Sequence, residues 1–386
     1  MRAHPALVVA AGLAAGCPGA PSRPAPAASD SATRDDETRL TRQYNELQDD
    51  IFTSYDRDEP PELGTRMIDA RIGAARIGAG PSDVHLGDLS HAPSRWPLDV
   101  GRSIRTEVRS KSLELHIALD QTAGWMADEV SWRIDICGRS AVIPLRITAL
   151  YAQDGDRWVP VVEHLSFGAS AVQGAPPLSA PIKAGVVSAA LRDQLLDVVT
   201  RALLRTPHDP GAIAGQSQGG LVLGPDAADE WHGARVLDAR LPPGKFGDPR
   251  IGVIGRTPAT ATVAYWIGPY AVAGAPAGAA LRATHVFEKR WFDTPGGLPS
   301  ATRSCHLEDK DARTGRAAEV AAHCRWMLVQ SHLSQPIGDD ELAGLVFGSA
   351  RLSSSPLKLV CDERPRATAP AAGPRPAATP PTAGSR

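Results

Sequence analysis

A high aromatic content, a bias in charge and long apolar runs are all missing from this sequence. Aromatic residues fill only 5% of the 386 positions, and eight of them are Trp, so each Trp carries weight. Lys and Arg number 41 against 43 Asp and Glu, a net charge of −2, so the basic excess that draws a protein to nucleic acid is lacking and no nucleic-acid partner is expected. No apolar run reaches the roughly 20 residues of a membrane-crossing helix, which excludes a multi-pass membrane protein. Five cysteines are too few for a disulfide-dense miniprotein. Phosphate-cradling glycine loops and closely spaced metal ligands are lacking too, so neither a cofactor nor a metal is expected. What remains is ordinary globular composition, 42% hydrophobic and 22% charged, in a chain long enough for two or three domains of about 150 residues.

Proline and alanine gather at the two ends. Residues 1–16 combine Arg2 with the apolar run Ala6–Ala15, the length of a secretory core and too short to span a bilayer. The run ends in Leu13-Ala14-Ala15-Gly16-Cys17, which resembles a bacterial lipobox. That resemblance implies cleavage before Cys17, acylation of its thiol and anchoring to the membrane by lipid. Pro18 in place of Asp points to the outer membrane as the address of an exported lipoprotein. Residues 17–33 read as a tether and 363–386 as a disordered Ala/Pro-rich tail.

An exported chain oxidises its thiols. Cys305 and Cys324, flanked as Cys305-His306 and His323-Cys324, are expected to form a disulfide closing a surface excursion. A zinc site from the same four residues is the alternative, but adjacent Cys-His ligands are poorly spaced for one tetrahedral ion. The pairing of Cys137 and Cys361 stays open.

Between the ends, helices lead and strands follow, twice. Leu40, Tyr44, Leu47, Ile51 and Tyr55 lie on one helical stripe within 35–58, and Pro60-Pro61 stops it. Residues 63–77 predict a second helix. Period-two alternation then predicts strands over 113–119, 125–136, 142–151 and 157–167, with a tight turn at Asp154-Gly155-Asp156. Val187, Leu191, Leu195 and Val198 begin a second helical stripe, and strands follow from Leu221. The order is α+β without βαβ alternation.

The two halves are related. The ten residues Arg157–Ser166 align without gaps to Arg325–Ser334, six of them identical, at an offset of 168. The strand before them matches at an offset of 136, as Leu145-Arg146-x-Thr148 against Leu281-Arg282-x-Thr284. The difference of 32 residues is an insertion in the second copy, within 288–324. A period of this size is domain duplication. The expected domains are 34–170 and 184–350.

The repeated unit, a helical start and then a sheet ending in Arg-Trp-x-x-Val-x-x-His-Leu-Ser, resembles the nuclear-transport-factor-2-like superfamily and, within it, the SnoaL-like domains. Leu221-Val222-Leu223-Gly224-Pro225-Asp226 with Trp231 is similar to that family's first-strand motif; Val84-His85-Leu86-Gly87-Asp88 with Trp96 is a looser match in the first copy. The resemblance implies two tandem cones, each a curved antiparallel or mixed sheet wrapped around a long helix. It implies either a ligand-binding or self-associating protein or an isomerase- or cyclase-like enzyme.

Asp128 is the candidate acid or base for the enzyme alternative. It interrupts the apolar face Met126, Val130, Trp132, Ile134 and Ile136, where desolvation raises a carboxyl pKa. Its counterpart is Ala264 or Trp266, depending on register, and no acid either way. Trp96, Trp125, Trp132, Trp231, His164 and His332 are the other pocket candidates, although a structural pairing suits the two recurring histidines better. Trp158 and Trp326 are expected in the core. Gly215-Gln216-Ser217-Gln218-Gly219 fits the serine-hydrolase elbow but lacks the strand-turn-helix context. The balance favours a non-catalytic, lipid-anchored protein that binds a small apolar ligand or a partner protein. A homodimer or an intramolecular pairing of the two domains is expected beside it.

Overall fold

The computed structural model describes residues 33–46, 75–80, 84–86, 105–136, 139–167, 182, 185, 188–215, 220–226, 228–255, 259–276, 279–294, 297–307, 315–337, 351–353 and 358–360. The expectations for Cys17, the 1–16 leader, the tether up to residue 32, Trp96, Cys137, Ser217, Cys361 and the 363–386 tail lie outside these residues.

The fold is α+β, with two seven-stranded mixed sheets. The first is built from β1 (Ala75–Ile77), β2 (Val84–Leu86), β3 (Arg105–Ser110), β4 (Glu114–Ile117), β5 (Ala123–Ile136), β6 (Arg139–Asp154) and β7 (Arg157–Phe167). Its order is β2-β1-β7-β6-β5-β3, with β4 also on β5. The second uses β8 (Leu221–Leu223), β9 (Glu230–His232), β10 (Gly244–Phe246), β11 (Arg250–Ile254), β12 (Val263–Val272), β13 (Leu281–Trp291) and β14 (Cys324–Ser334). Its order is β10-β12-β13-β14-β8-β9, with β11 on β12. The two orders are the same list shifted by seven strands. In both, the short first strand joins the last in parallel, β1 on β7 and β8 on β14.

Register carries the correspondence to single residues. Thr148 pairs with His164 across β6 and β7, and Thr284 pairs with His332 across β13 and β14, which reproduces the offsets of 136 and 168. A β-bulge interrupts both ladders at the same place, after Leu150 and after Val286. Three sequence expectations change with this register. Ala75–Ile77, placed at the end of a helix, is a strand: three residues carry no periodicity, and parallel pairing with β7 decides their state. Its partner by register is Leu221–Leu223, whereas Val84–Leu86 is β2 and matches β9. Asp128 and Gly268 occupy matching places, opposite Ile147 and Ala283, so the counterpart is neither Ala264 nor Trp266.

Helix α1 (33–46) lies in the first sheet. Leu40 and Tyr44, one turn apart, bury against Ile117, Met126, Ala149, Tyr151 and Trp158. Gln43 pins the helix to β7: its amide donates to Trp158 O at 3.0 Å and accepts from Trp158 N–H at 3.0 Å. Helix α2 (Ala189–Val199) takes the same place in the second sheet, capped by Ser188 Oγ accepting from Leu191 N–H at 3.1 Å. Leu191, Leu195 and Val198 pack on Trp266, Phe287, Trp326 and Leu328. The outer faces of the sheets meet each other. Trp125, Leu150 and Val162 of the first share one core with Tyr265, Ile267 and Val286 of the second. Strand β5 is therefore buried on both sides, Met126 and Asp128 toward α1, Trp125 and Ala127 toward the second sheet.

The insertion replaces a tight turn. Asp154↔Arg157 closes the β6–β7 hairpin and matches Arg290↔Arg325, after which β13 and β14 run one pair further. Helix α3 (Gly315–His323) belongs to the insertion, and Cys305 is bonded to Cys324 with their Cα atoms 6.0 Å apart. Trp291, Cys305 and Val320 make a small core beneath. A last pair, β15 (Arg351–Ser353) with β16 (Lys358–Val360), follows the second sheet and was not expected.

Candidate functional site

The residues that recur between the halves meet where the sheets pack. The His164 and His332 rings stack with centroids 3.9 Å apart and planes 21° from parallel. Each histidine bonds to the opposite sheet. His164 Nδ1 lies 2.9 Å from Thr284 Oγ1 and its Nε2 lies 2.7 Å from Ser334 Oγ. His332 Nδ1 lies 2.9 Å from Thr148 Oγ1 and its Nε2 lies 2.8 Å from Ser166 Oγ. A neutral imidazole has one donor and one acceptor, and a hydroxyl can answer either, so all four bonds are satisfied without charge. Burial lowers the pKa of both rings, His164 further through His332 and Arg282, and His332 to about 3 with Arg146 adding to the effect.

The recurring arginines follow the same exchange. Arg146 donates to Gly224 O at 3.3 Å and to Asp226 O at 2.9 Å, in the turn after β8. Arg282 donates to Gly78 O at 2.7 Å and to Gly80 O at 2.5 Å, in the turn after β1. Each half thus ties down the turn that follows the other's first strand. The Arg-x-Thr and His-x-Ser spacings place alternate residues on one face of a strand, and that face is the joint.

Inside the first cone, Asp128 is buried beneath α1. Its Oδ2 accepts from Tyr44 Oη at 3.0 Å and its Oδ1 from Ser110 Oγ at 2.8 Å. Burial raises its pKa, against hydrogen bonds from Ser110, Tyr44 and the backbone N–H groups of Ser112 and Lys111. Glu163 is a second buried acid on this face and was missed in the sequence. It pairs with Arg76, its register partner on β1, at 3.4 Å. The matching face of the second cone is chemically different. His285 stands at the place of Ala149, with Nδ1 3.1 Å from Ser331 Oγ and the ring edge-on to Phe246. Burial lowers its pKa to about 3.

The other candidates distribute as follows. Trp125 joins the core between the sheets, and His164 and His332 lie in the joint, so none of the three lines a cone: each sits on the strand face turned toward the other half. Trp132 is fully buried on the Asp128 face of β5, and Trp231 packs on the core beneath α2. Trp158 and Trp326 are core residues, as expected. Among the described residues no group of His, Cys, Asp and Glu could hold a metal, and Cys305 and Cys324 are joined to each other. Among them, too, no helix is long and apolar enough to cross a membrane.

No family model matches the chain, and no curated protein matches it. Among solved structures it is similar to a nuclear transport factor 2 (NTF2-like) superfamily protein from Salmonella enterica serovar Typhimurium LT2, at 14% identity over 37% of this chain and 98% of that one, TM-score 0.29. It is also similar to the association domain of C. elegans CaMKII, at 18% identity over 34% of this chain and 98% of that one, TM-score 0.27. A hexachlorocyclohexane dehydrochlorinase (LinA) type 2 is similar at 15% identity over 38% of this chain and 99% of that one, TM-score 0.28.

Proposed function

We propose that this chain is an exported, outer-membrane lipoprotein, anchored through Cys17, whose two SnoaL-like halves, 34–170 and 184–350, pair with each other. In this reading it binds a small apolar ligand or a partner protein without transforming it. The observation that carries the reading is the fate of the recurring residues. Arg146, Thr148, His164 and Ser166, with Arg282, Thr284, His332 and Ser334, bond across the joint, so what duplication preserved serves pairing rather than chemistry. Asp128, the acid on which a reaction would depend, has both oxygens occupied by Tyr44 and Ser110.

Native mass spectrometry of full chain extracted from membranes tests this. The expected species is one acylated chain with a stoichiometric apolar ligand or protein partner, retained in Asp128→Asn. A second reading, an isomerase- or cyclase-like enzyme, rests on the raised pKa of Asp128 and its contact with a phenol that could pass a proton. Turnover of a carbonyl substrate that Asp128→Asn abolishes in a folded protein would move the conclusion to that reading. Labelling of Ser217 by a fluorophosphonate would open the hydrolase reading instead.

A further inference from the structure

Strand β4 is an edge of the first cone, paired to β5 from Glu114↔Ala127 to Ile117↔Gly124. Ile117 and, less deeply, Leu115 pack with Leu40 and Tyr44 of α1. The link before the strand holds Asp128 through the backbone N–H groups of Lys111 and Ser112. The segment 111–122 thus closes one side of the first cone.

The second sheet grips this segment at both ends. At one end, His232 of β9 stands between two carboxylates, Nδ1 2.8 Å from Glu114 Oε2 and Nε2 2.5 Å from Glu230 Oε1. Glu129 of β5 lies beside Glu230, Arg146 lies 4.0 Å from Glu230, and Lys111 and His116 also face this end. At the other end, Glu288 of β13 is fully buried. Its Oε1 accepts from Leu119 N–H at 3.0 Å, and its other oxygen pairs with Arg290. Asp120 faces it from the β4–β5 turn, accepting from Thr262 and lying 3.5 Å from His306 Nδ1.

Among the described residues this grip exists at one corner of the repeat only. By register, Glu114 corresponds to Arg250, Glu230 to Val84, His232 to Leu86 and Glu288 to Ala152. Pairing the two sheets does not require it, since the opposite corner closes without these groups.

We propose that residues 111–122 form a strap over the first cone that the second sheet fastens by protons, so that the second half controls how tightly the first is closed. Three groups act in one direction. Partial burial opposes the His232 imidazolium, but its bonds to Glu114 and Glu230 outweigh that and raise its pKa. The bridge is complete below the ordinary histidine value and is lost as pH rises through the raised one. Burial, with Asp120, pushes Glu288 up to about 7 against Arg290 and the Leu119 N–H. Above that value a buried carboxylate must form; the Leu119 N–H favours that charge, so what draws the segment open is the water that opening admits to the carboxylate. Glu129 is raised by burial and then by Glu230, so it too resists losing its proton. Rising pH unfastens the strap and falling pH fastens it.

Hydrogen–deuterium exchange of the full chain between pH 5.5 and 9, corrected for intrinsic exchange, tests the proposal. Protection over 111–122 is expected to fall about tenfold or more as pH rises from 6 to 9, while β13 and β14 stay within about twofold. Glu288→Gln, which cannot ionise, should hold the Leu119 end protected to pH 9. His232→Gln should expose the Glu114 end already at pH 6. Parallel pH profiles for strap and core in the unmodified protein would overturn the proposal, without reference to any variant. A pH-dependent loss unchanged in both variants would overturn it as well.

Discussion

Replacing His332 by Ala and reading its coupling to Ser166 isolates a bond between the two halves. The ring is fully buried and serves Thr148 Oγ1, Ser166 Oγ and the face of His164. Its removal leaves two buried hydroxyls short of a partner, at about 1–3 kcal/mol each, and an imidazole-sized void besides, so a loss of roughly 4 kcal/mol is expected. Ser166→Ala alone should cost about 1–2 kcal/mol, because His332 keeps its Thr148 bond. The double variant should be less destabilised than the sum by about 1–1.5 kcal/mol, since the bond can be lost only once. Urea unfolding of the four proteins gives the cycle. Additivity to within about 0.3 kcal/mol would mean that the two side chains, 166 residues apart, do not touch, and the joint as described would be wrong.

Other outcomes follow from the same structure. Arg282→Met should destabilise the chain by about 2–3 kcal/mol, read by thermal melting, because Gly78 O and Gly80 O lose a buried donor; an unchanged melt would count against the clasp. Stability should rise with pH from about 3 to 6.5, since His285 and His332 have folded pKa values near 3 and must each be neutral, at a cost of about 2 kcal/mol apiece at pH 5. Glu288 works in the opposite sense, its contribution being present below about 4.5 and lost as pH rises through about 7, so urea midpoints should peak between about pH 6 and 7; midpoints still climbing at pH 9 would contradict the Glu288 sign, and midpoints flat from about pH 3 to 6 would contradict the histidine sign. Reducing the Cys305–Cys324 bond should cost about 3 kcal/mol and open Arg303 and Arg316 to trypsin; equal resistance of both forms would show that the bond does not hold the insertion. Cys17→Ser should release the protein from membranes or block its maturation, and normal fractionation would refute lipid anchoring.

Much of this fold was legible in sequence, and the repeats were its best guide. The offsets of 136 and 168, read from Arg-x-Thr and Arg-Trp-…-His-Leu-Ser, reappear as ladder register and a matching bulge, because strands carry their alternation locally. The Cys305–Cys324 bond was expected on the premise of export, and the buried Asp128 from one acid on an apolar face. The first strand did not follow. Ala75–Ile77 is three residues long, and its pairing with β2 and with β7, the latter more than 80 residues away, makes it a strand. That displaced the first-strand match onto Val84–Leu86. The role of the histidines was half visible, since recurrence suggested pairing but could not say that each bonds to the other half. Glu163, His285, Glu288 and His232 were passed over for the same reason. Their surroundings come from strands distant in sequence, and nothing in their own neighbourhoods marks them.

Imidazole NMR of histidine-labelled protein tests whether the recurring residues join the two halves of one chain. Two rings, His164 and His332, are expected to stay neutral well below pH 6.5, His332 down to about pH 4, with a nuclear Overhauser contact between them. That contact should be absent from isotope-filtered spectra of a mixture of labelled and unlabelled chains. Rings that titrate near 6.5, or a contact seen only between chains, would contradict the joint between the halves.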